Sequence, residues 1–194
     1  MNRAVFLDRD GVVTVNDQSD KDGAFYITCA NNLRYRPGAL EAIARLSKAH
    51  IPVFLVTSQK WASLGLPEAA KRSAEMKITE IHNQFTNDVL SAGGYIMFAR
   101  YLIEENENKI EAIGEIAATY GVVLEESWMI GDSAGDIKAG MANGCKTIYI
   151  QNEFAQSPDP GADYNTTSLE RAVDIILTKR GVEKQNEQSG VSGS

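Results

Sequence analysis

Ala4-Val5-Phe6-Leu7-Asp8-Arg9-Asp10-Gly11-Val12-Val13 is an apolar run interrupted by two aspartates and a glycine. Ala4 to Leu7 is too short for a helix and reads as a buried strand, and Gly11 marks a turn directly after the carboxylates. In an open α/β sheet, ligands bind beyond the carboxyl ends of the strands, so Asp8 and Asp10 form a candidate site. The same four residues, Asp8 to Gly11, also read as an ordinary polar turn. The rest of the chain has to decide between the two.

Downstream, short apolar runs alternate with helical periodicity. Thr14 to Arg36 is a polar excursion with one apolar patch at Phe25-Tyr26-Ile27, read as a loop near the mouth of the site. Pro37-Gly38 opens a helix in which Leu40, Ile43, Ala44 and Leu46 recur at helical spacing. Val53-Phe54-Leu55-Val56 is a second strand, ending at Thr57-Ser58-Gln59. Lys60 to Leu66 reads as a loop, and a long helical pattern follows from Pro67 to about Ala92. Tyr95 to Ala99 reads as a third strand with a charged exit, Arg100 to Asn108, and Lys109 to Tyr120 as a helix closed by Gly121. Trp128-Met129-Ile130 is a fourth strand, ending at Gly131-Asp132-Ser133-Ala134-Gly135-Asp136, and Thr147 to Ile150 a fifth. A last helix is expected over about 168–179, with 181–194 a disordered tail for want of apolar residues. The β-then-α alternation predicts a three-layer α/β/α sandwich, Rossmann-like, around a five-stranded parallel sheet. A single domain over 1–180 accounts for the pattern.

Composition narrows the function. The 194 residues are 43% hydrophobic and 23% charged, as in ordinary globular proteins, with a formal net charge of −7. That balance opposes sequence-independent attraction to nucleic acid or to anionic membranes, so a small-molecule partner is expected and neither nucleic acid nor membrane. The two cysteines, Cys29 and Cys145, lack metal-ligand or disulfide-framework spacing. No apolar run has the length of a signal-peptide core or a membrane span. The expectation is a cytoplasmic protein, a monomer or small homo-oligomer.

Four polar groups fall at strand ends or helix starts: Asp8/Asp10, Thr57/Ser58, Lys109 and Asp132/Asp136. Carboxylates gathered on one sheet edge repel one another unless a hard cation balances them, and an oxygen-only ligand set suits magnesium. Each residue has a plainer reading. Asp136 also reads as a helix cap, Lys109 as a solvated surface charge with Lys60 its competitor, and Trp61 as a packed side chain rather than a stacking platform. Arg9 and His82 are assigned no catalytic role.

In that order and spacing the motifs resemble those of the haloacid-dehalogenase superfamily phosphatases: Asp8-Arg9-Asp10-Gly11, the strand ending at Thr57, the helix-opening Lys109, and Gly131-Asp132 with Asp136. Phe6 to Val12, Pro37 to Ala42, Val56 to Gln59 and the Gly93-Gly94 pair are similar to the subgroup of heptose bisphosphate and histidinol-phosphate phosphatases. The chain departs from that subgroup at Ser58, at Lys60-Trp61, at Ile110, and in having neither Cys nor His within Arg100 to Asn108. The resemblance implies a capless domain covered by the loops 14–36, 60–66 and 100–108, and an aspartyl-phosphate mechanism on a small phosphorylated metabolite, a sugar phosphate or bisphosphate. It also implies that Asp8 is the nucleophile and Asp10 the general acid and base. Asp8, the Asp10 backbone carbonyl, Asp132 and Asp136 would hold Mg2+, and Thr57, Ser58 and Lys109 would bind the phosphoryl group. A polynucleotide-end phosphatase and a non-catalytic phosphate-binding or scaffolding relative are the alternatives.

Overall fold

A computed structural model describes residues 3–15, 26–63, 65–152 and 160–190, with side chains described as far as Lys179. In chain order the elements are β1 (Val5–Leu7), α1 (Ala39–Lys48), β2 (Val53–Ser58), α2 (Glu68–Ser91), β3 (Phe98–Leu102) and α3 (Lys109–Tyr120), followed by β4 (Trp128–Gly131), α4 (Ala134–Ala142), β5 (Lys146–Ile150), β6 (Tyr164–Thr166) and α5 (Leu169–Gly190). The strands form one sheet in the order β3-β2-β1-β4-β5-β6, and every pairing is parallel.

Both faces of this sheet are covered, as a parallel sheet requires. Side chains alternate along each strand. Val5, Leu7, Val53, Leu55 and Ile130 join Ile43 and Leu46 of α1, Ile81, Phe85 and Val89 of α2, and Val173 and Ile176 of α5. Ala4, Phe6, Phe54, Val56 and Met129 point the other way, onto Ala112, Ile113, Ile116 and Ala117 of α3 and Ala139 of α4. Truncating a fully buried member such as Phe85 to alanine should cost about 3–5 kcal/mol. Among the described residues no second domain is inserted between β1 and β2 or between β2 and β3, and no helix is long and apolar enough to cross a membrane.

Two expectations are corrected. The sheet has six strands rather than five. Tyr164-Asn165-Thr166 is short, polar and half-exposed, so it carries no apolar signal. It is nevertheless added to the edge of β5, where the Asp163 carboxylate accepts from the Thr147 N–H (2.7 Å) and hydroxyl (2.9 Å). The third strand lies at Phe98–Leu102, not Tyr95 to Ala99. An edge strand tolerates polar residues, and pairing with β2 sets its register through Leu55↔Ala99 to Ser58↔Leu102. Arg100 to Leu102 therefore belong to β3, and only 103–108 remain as loop. Helix α5 continues to Gly190, past the apolar pattern that ends at Lys179. Of the 14–36 excursion, residues 16–25 lie outside the described residues.

Candidate active site

From β1 the chain goes to β2 and β3 on one side and then crosses to β4, β5 and β6 on the other. The crevice between the carboxyl ends of β1 and β4 is therefore the switch point at which such sheets bind ligands. Asp8 leaves β1 there and still donates its N–H to Ile130 O at 3.0 Å, as if the ladder went one step further. Asp132 and Ser133 follow β4. Ser133 caps α4 in a reciprocal box: its hydroxyl accepts from the Asp136 N–H, and the Asp136 carboxylate accepts from the Ser133 N–H. From the other side comes α3, capped by the Asn108 side chain, with Lys109 as its first residue.

These elements place Lys109 Nζ 2.9 Å from Asp8 Oδ1 and 2.5 Å from Asp136 Oδ1. Carboxylate oxygens of Asp8, Asp132 and Asp136 lie within 4.8 Å of one another. Two glycines make the approach possible. Gly11 has φ +80°, and a Cβ there would fall 1.9 Å from Asp132 Oδ2; a Cβ on Gly131 would fall 2.1 Å from that of Asp136.

Two buried carboxylates, Asp8 and Asp136, and the half-buried Asp132 face one ammonium, and the charges do not balance. Burial pushes the Asp8 carboxyl up to about 8; Lys109 pulls it down, and Asp136 and Asp132 add to the rise. Burial and Asp136 likewise push Asp132 up to about 6, against the Asn152 amide and Lys109. Burial works against the Lys109 charge, but Asp136 and Asp8 outweigh it and hold its pKa above the usual lysine range. Apart from the Lys109 ammonium, no donor among the described residues reaches Asp8 Oδ1. An oxygen-only cluster with excess negative charge and an under-satisfied oxygen fits a hard divalent cation such as magnesium.

Asp10, two residues on, has the opposite surroundings. Arg9, wholly buried, forks onto it with Nε and Nη2 at 2.9 Å each. Thr14 Oγ1 donates to Oδ1 at 2.9 Å and Gln59 Nε2 to Oδ2 at 2.7 Å. Burial opposes the charge, but Arg9, Gln59 and Thr14 together hold the Asp10 carboxyl below the usual range. Its carboxylate is not part of the Asp8/Asp132/Asp136 cluster, so a metal role for Asp10 rests on its backbone carbonyl alone.

Thr57, at the end of β2, is buried and accepts from Gln59 Nε2 at 3.1 Å, which leaves its own O–H available as a donor. Ser58 is the half-buried last residue of β2, opposite Leu102. Lys60 is turned to the 103–108 loop, donating to Glu104 O and, at 2.9 Å, to Glu107 O. Trp61 takes the plainer of its two readings: it packs against the core and donates from Nε1 to Gln59 Oε1 at 2.8 Å. His82 Nδ1 lies 3.0 Å from the Tyr101 hydroxyl, and the Tyr101 ring lies under the Arg9 guanidinium, 5.9 Å from the centroid.

Several residues at the site carried no usable signal in the sequence. Asn152, just past β5, donates to Asp132 Oδ2 at 2.7 Å and to Gly11 O at 3.1 Å, a bridge across the switch point that no local pattern announces. Gln59 and Thr14 are isolated polar residues beside strand ends. For Arg9 a signal was present, since a cation between two aspartates at the end of a buried strand has to pair with one of them.

A family model, HAD-hydrolase-like, matches residues 109–171. The chain is 28% identical over 164 residues to the D-glycero-beta-D-manno-heptose-1,7-bisphosphate 7-phosphatase of Rhodopseudomonas palustris, covering 77% of this chain and 84% of that one. It is 29% identical over 159 residues to the enzyme of that name from Pseudomonas aeruginosa, covering 78% and 83%. Among solved structures, the D,D-heptose 1,7-bisphosphate phosphatase of B. bronchiseptica, complexed with magnesium and phosphate, superposes with a TM-score of 0.75 at 22% identity, over 92% of this chain and 99% of that one. The family match covers the lysine and the second aspartate pair, and the relatives align over more than three quarters of each chain; the chain is similar, over most of its length, to haloacid-dehalogenase-like phosphatases.

Proposed function

We propose that the chain is a magnesium-dependent phosphomonoester hydrolase for a small phosphorylated sugar, with a heptose bisphosphate the leading candidate, acting through an aspartyl-phosphate on Asp8. The observation that carries this reading is the Asp8, Lys109, Asp136 and Asp132 cluster at the switch point. The names of its relatives supply the substrate class.

Asp8 suits the nucleophile because its Oδ1 is held by the Lys109 ammonium alone and leads out of β1 into the crevice. In the first step an Asp8 oxygen bonds to phosphorus and the bond from phosphorus to the sugar oxygen breaks, with a proton needed at the leaving oxygen. In the second, water attacks phosphorus, releases phosphate from Asp8 and loses a proton to a base. Asp10 enters the first step protonated and gives that proton to the leaving oxygen; left ionised and held so by its four donors, it takes a proton from the attacking water in the second. Lys109 and the free Thr57 O–H neutralise and orient the phosphoryl oxygens. Asp8, Asp132 and Asp136 would hold the metal, which supplies charge neutralisation between two anions that must meet. Asn152 holds Asp132 in orientation. Such a substrate suits a cytoplasmic enzyme.

The test is phosphate release from sugar phosphates, sugar bisphosphates, histidinol phosphate, nucleotides and 3′-phosphorylated oligonucleotides, with magnesium and with chelator. Magnesium-dependent turnover concentrated on the sugar bisphosphates is expected. Turnover of oligonucleotide ends alone would replace the substrate class, and binding without turnover would point to a scaffolding relative.

A further inference from the structure

Lys109 can bridge Asp8 and Asp136 only if the first turn of α3 is held at the right place, and the 103–108 loop that delivers it has no buried residue. Apolar contact enters through Ile103, which packs on the cluster of Ala62, Ala74 and Ile78. The rest of the loop is held by polar contacts, and two side chains account for most of them. The Glu107 carboxylate accepts from the Ile103 N–H (2.7 Å), the Glu104 N–H (2.9 Å) and Arg100 Nη2 (2.9 Å), closing the loop on itself. The Lys60 ammonium donates to the carbonyls of Glu104 and Glu107, and Ser63 Oγ donates to Ile103 O at 2.6 Å. Through these contacts the loop is tied to the turn that follows Thr57 and Ser58. Lys60 is thereby engaged away from the carboxylates, although it competes with Lys109 on sequence alone.

We infer that Lys60 and Glu107 form a hydrogen-bonded staple that joins the exit of β2 to the loop before α3 and acts as the positioning device for Lys109. Neither residue contacts the reacting atoms; both act through the lysine. The inference deepens the phosphatase reading and rests on it for the role of Lys109, whereas the staple itself is a statement about loop geometry. One consequence is that the two phosphate-binding segments, Thr57-Ser58 and Lys109, are set as one unit.

The test pairs a structural with a kinetic readout on the full chain. In Glu107→Ala and Lys60→Met the amides of Glu111 and Ala112, which bond to the Asn108 side chain and carbonyl, should exchange hydrogen faster, while those of β1 and β4 stay as in the parent. Unchanged exchange at the start of α3 overturns the staple whether or not the chain is a phosphatase. Turnover should fall roughly 10- to 100-fold in kcat with KM within about twofold, the signature of a misplaced group, and Lys60→Arg should recover most of it. In a Lys109→Ala background, assayed at high enzyme concentration, Glu107→Ala should cost nothing further, because both act through one group. An equal loss in both backgrounds overturns the inference, as does a rise in KM with kcat unchanged in Lys60→Met, which would make Lys60 a substrate contact. Failure of the parent to hydrolyse any phosphomonoester would remove the phosphatase reading and leave the exchange result to decide the staple.

Discussion

Asp8 and Asp10 are the same residue type, two positions apart, the first buried and the second nearly so, yet their surroundings drive them in opposite directions. Asp8 shares one ammonium with two other carboxylates, and its carboxyl is pushed up to about 8. Asp10 has a guanidinium fork, an amide and a hydroxyl to itself and is held low. Burial opposes both charges, so the difference lies in the number of donors against the number of like charges. One carboxylate is left wanting a cation and a reaction partner; the other is complete and held in one orientation. The proposed roles, nucleophile and proton-transfer group, would need that division of labour, and the chain obtains it by aiming residues two positions apart at different neighbours.

The largest effect that would break the contrast is chemical. Asp8→Asn should lower turnover by at least about 10³-fold, since it removes the attacking oxygen and not merely a contact. Full activity in that variant, measured as phosphate release, would assign the chemistry elsewhere. Next comes the clamp on Asp10. Arg9→Met leaves a largely buried carboxylate without its counter-ion and should destabilise the fold by about 3 kcal/mol in chemical denaturation. Arg9→Lys keeps the charge without the fork and should fall between the two, and Arg9→Met combined with Asp10→Asn should recover part of the loss.

The third prediction concerns pH. Asp8 and Asp132 are raised above 3.8, to about 8 and about 6. Their contribution to the stability of the metal-free protein is therefore fully present below the unfolded value and is lost as pH rises through 6 and then 8. Magnesium needs the ionised forms, so its stabilising shift in melting temperature should grow from pH 5 to pH 8.5. A shift that is flat across that window in scanning calorimetry would remove the metal from this cluster. The smallest effect is Thr14→Val, which takes one of the four donors from Asp10 and should cost about 1 kcal/mol, with kcat falling less than in Arg9→Lys.

Much of the site was legible because its residues lie at element ends. Asp8, Thr57, Lys109 and Asp132 each sit at the junction of an apolar run with a polar turn, and parallel β/α alternation forces such junctions onto one sheet edge. Helix α3 begins at Lys109 as its periodicity predicts. Harder to read were residues whose meaning depends on a partner far away in the chain. Asn152 bonds to Asp132 and to Gly11, the latter 141 positions away, and the strand of Tyr164 to Thr166 exists only because β5 offers it an edge. The third strand was read three residues early because an apolar run at an edge indicates burial, whereas pairing with β2 sets the register.

From sequence alone, local chemistry determined the alternation of the first five strands with their helices, the doubly covered parallel sheet and the carboxylates and lysine that meet at its edge. Periodicity and strand-end polarity are properties of neighbouring residues, and neighbours are what a sequence records. The tertiary structure decided that Arg9 turns to Asp10 while Lys109 turns to Asp8 and Asp136, and that Lys60 closes a loop instead of entering the site. Those choices depend on which groups are desolvated together, and desolvation is set only when distant segments pack.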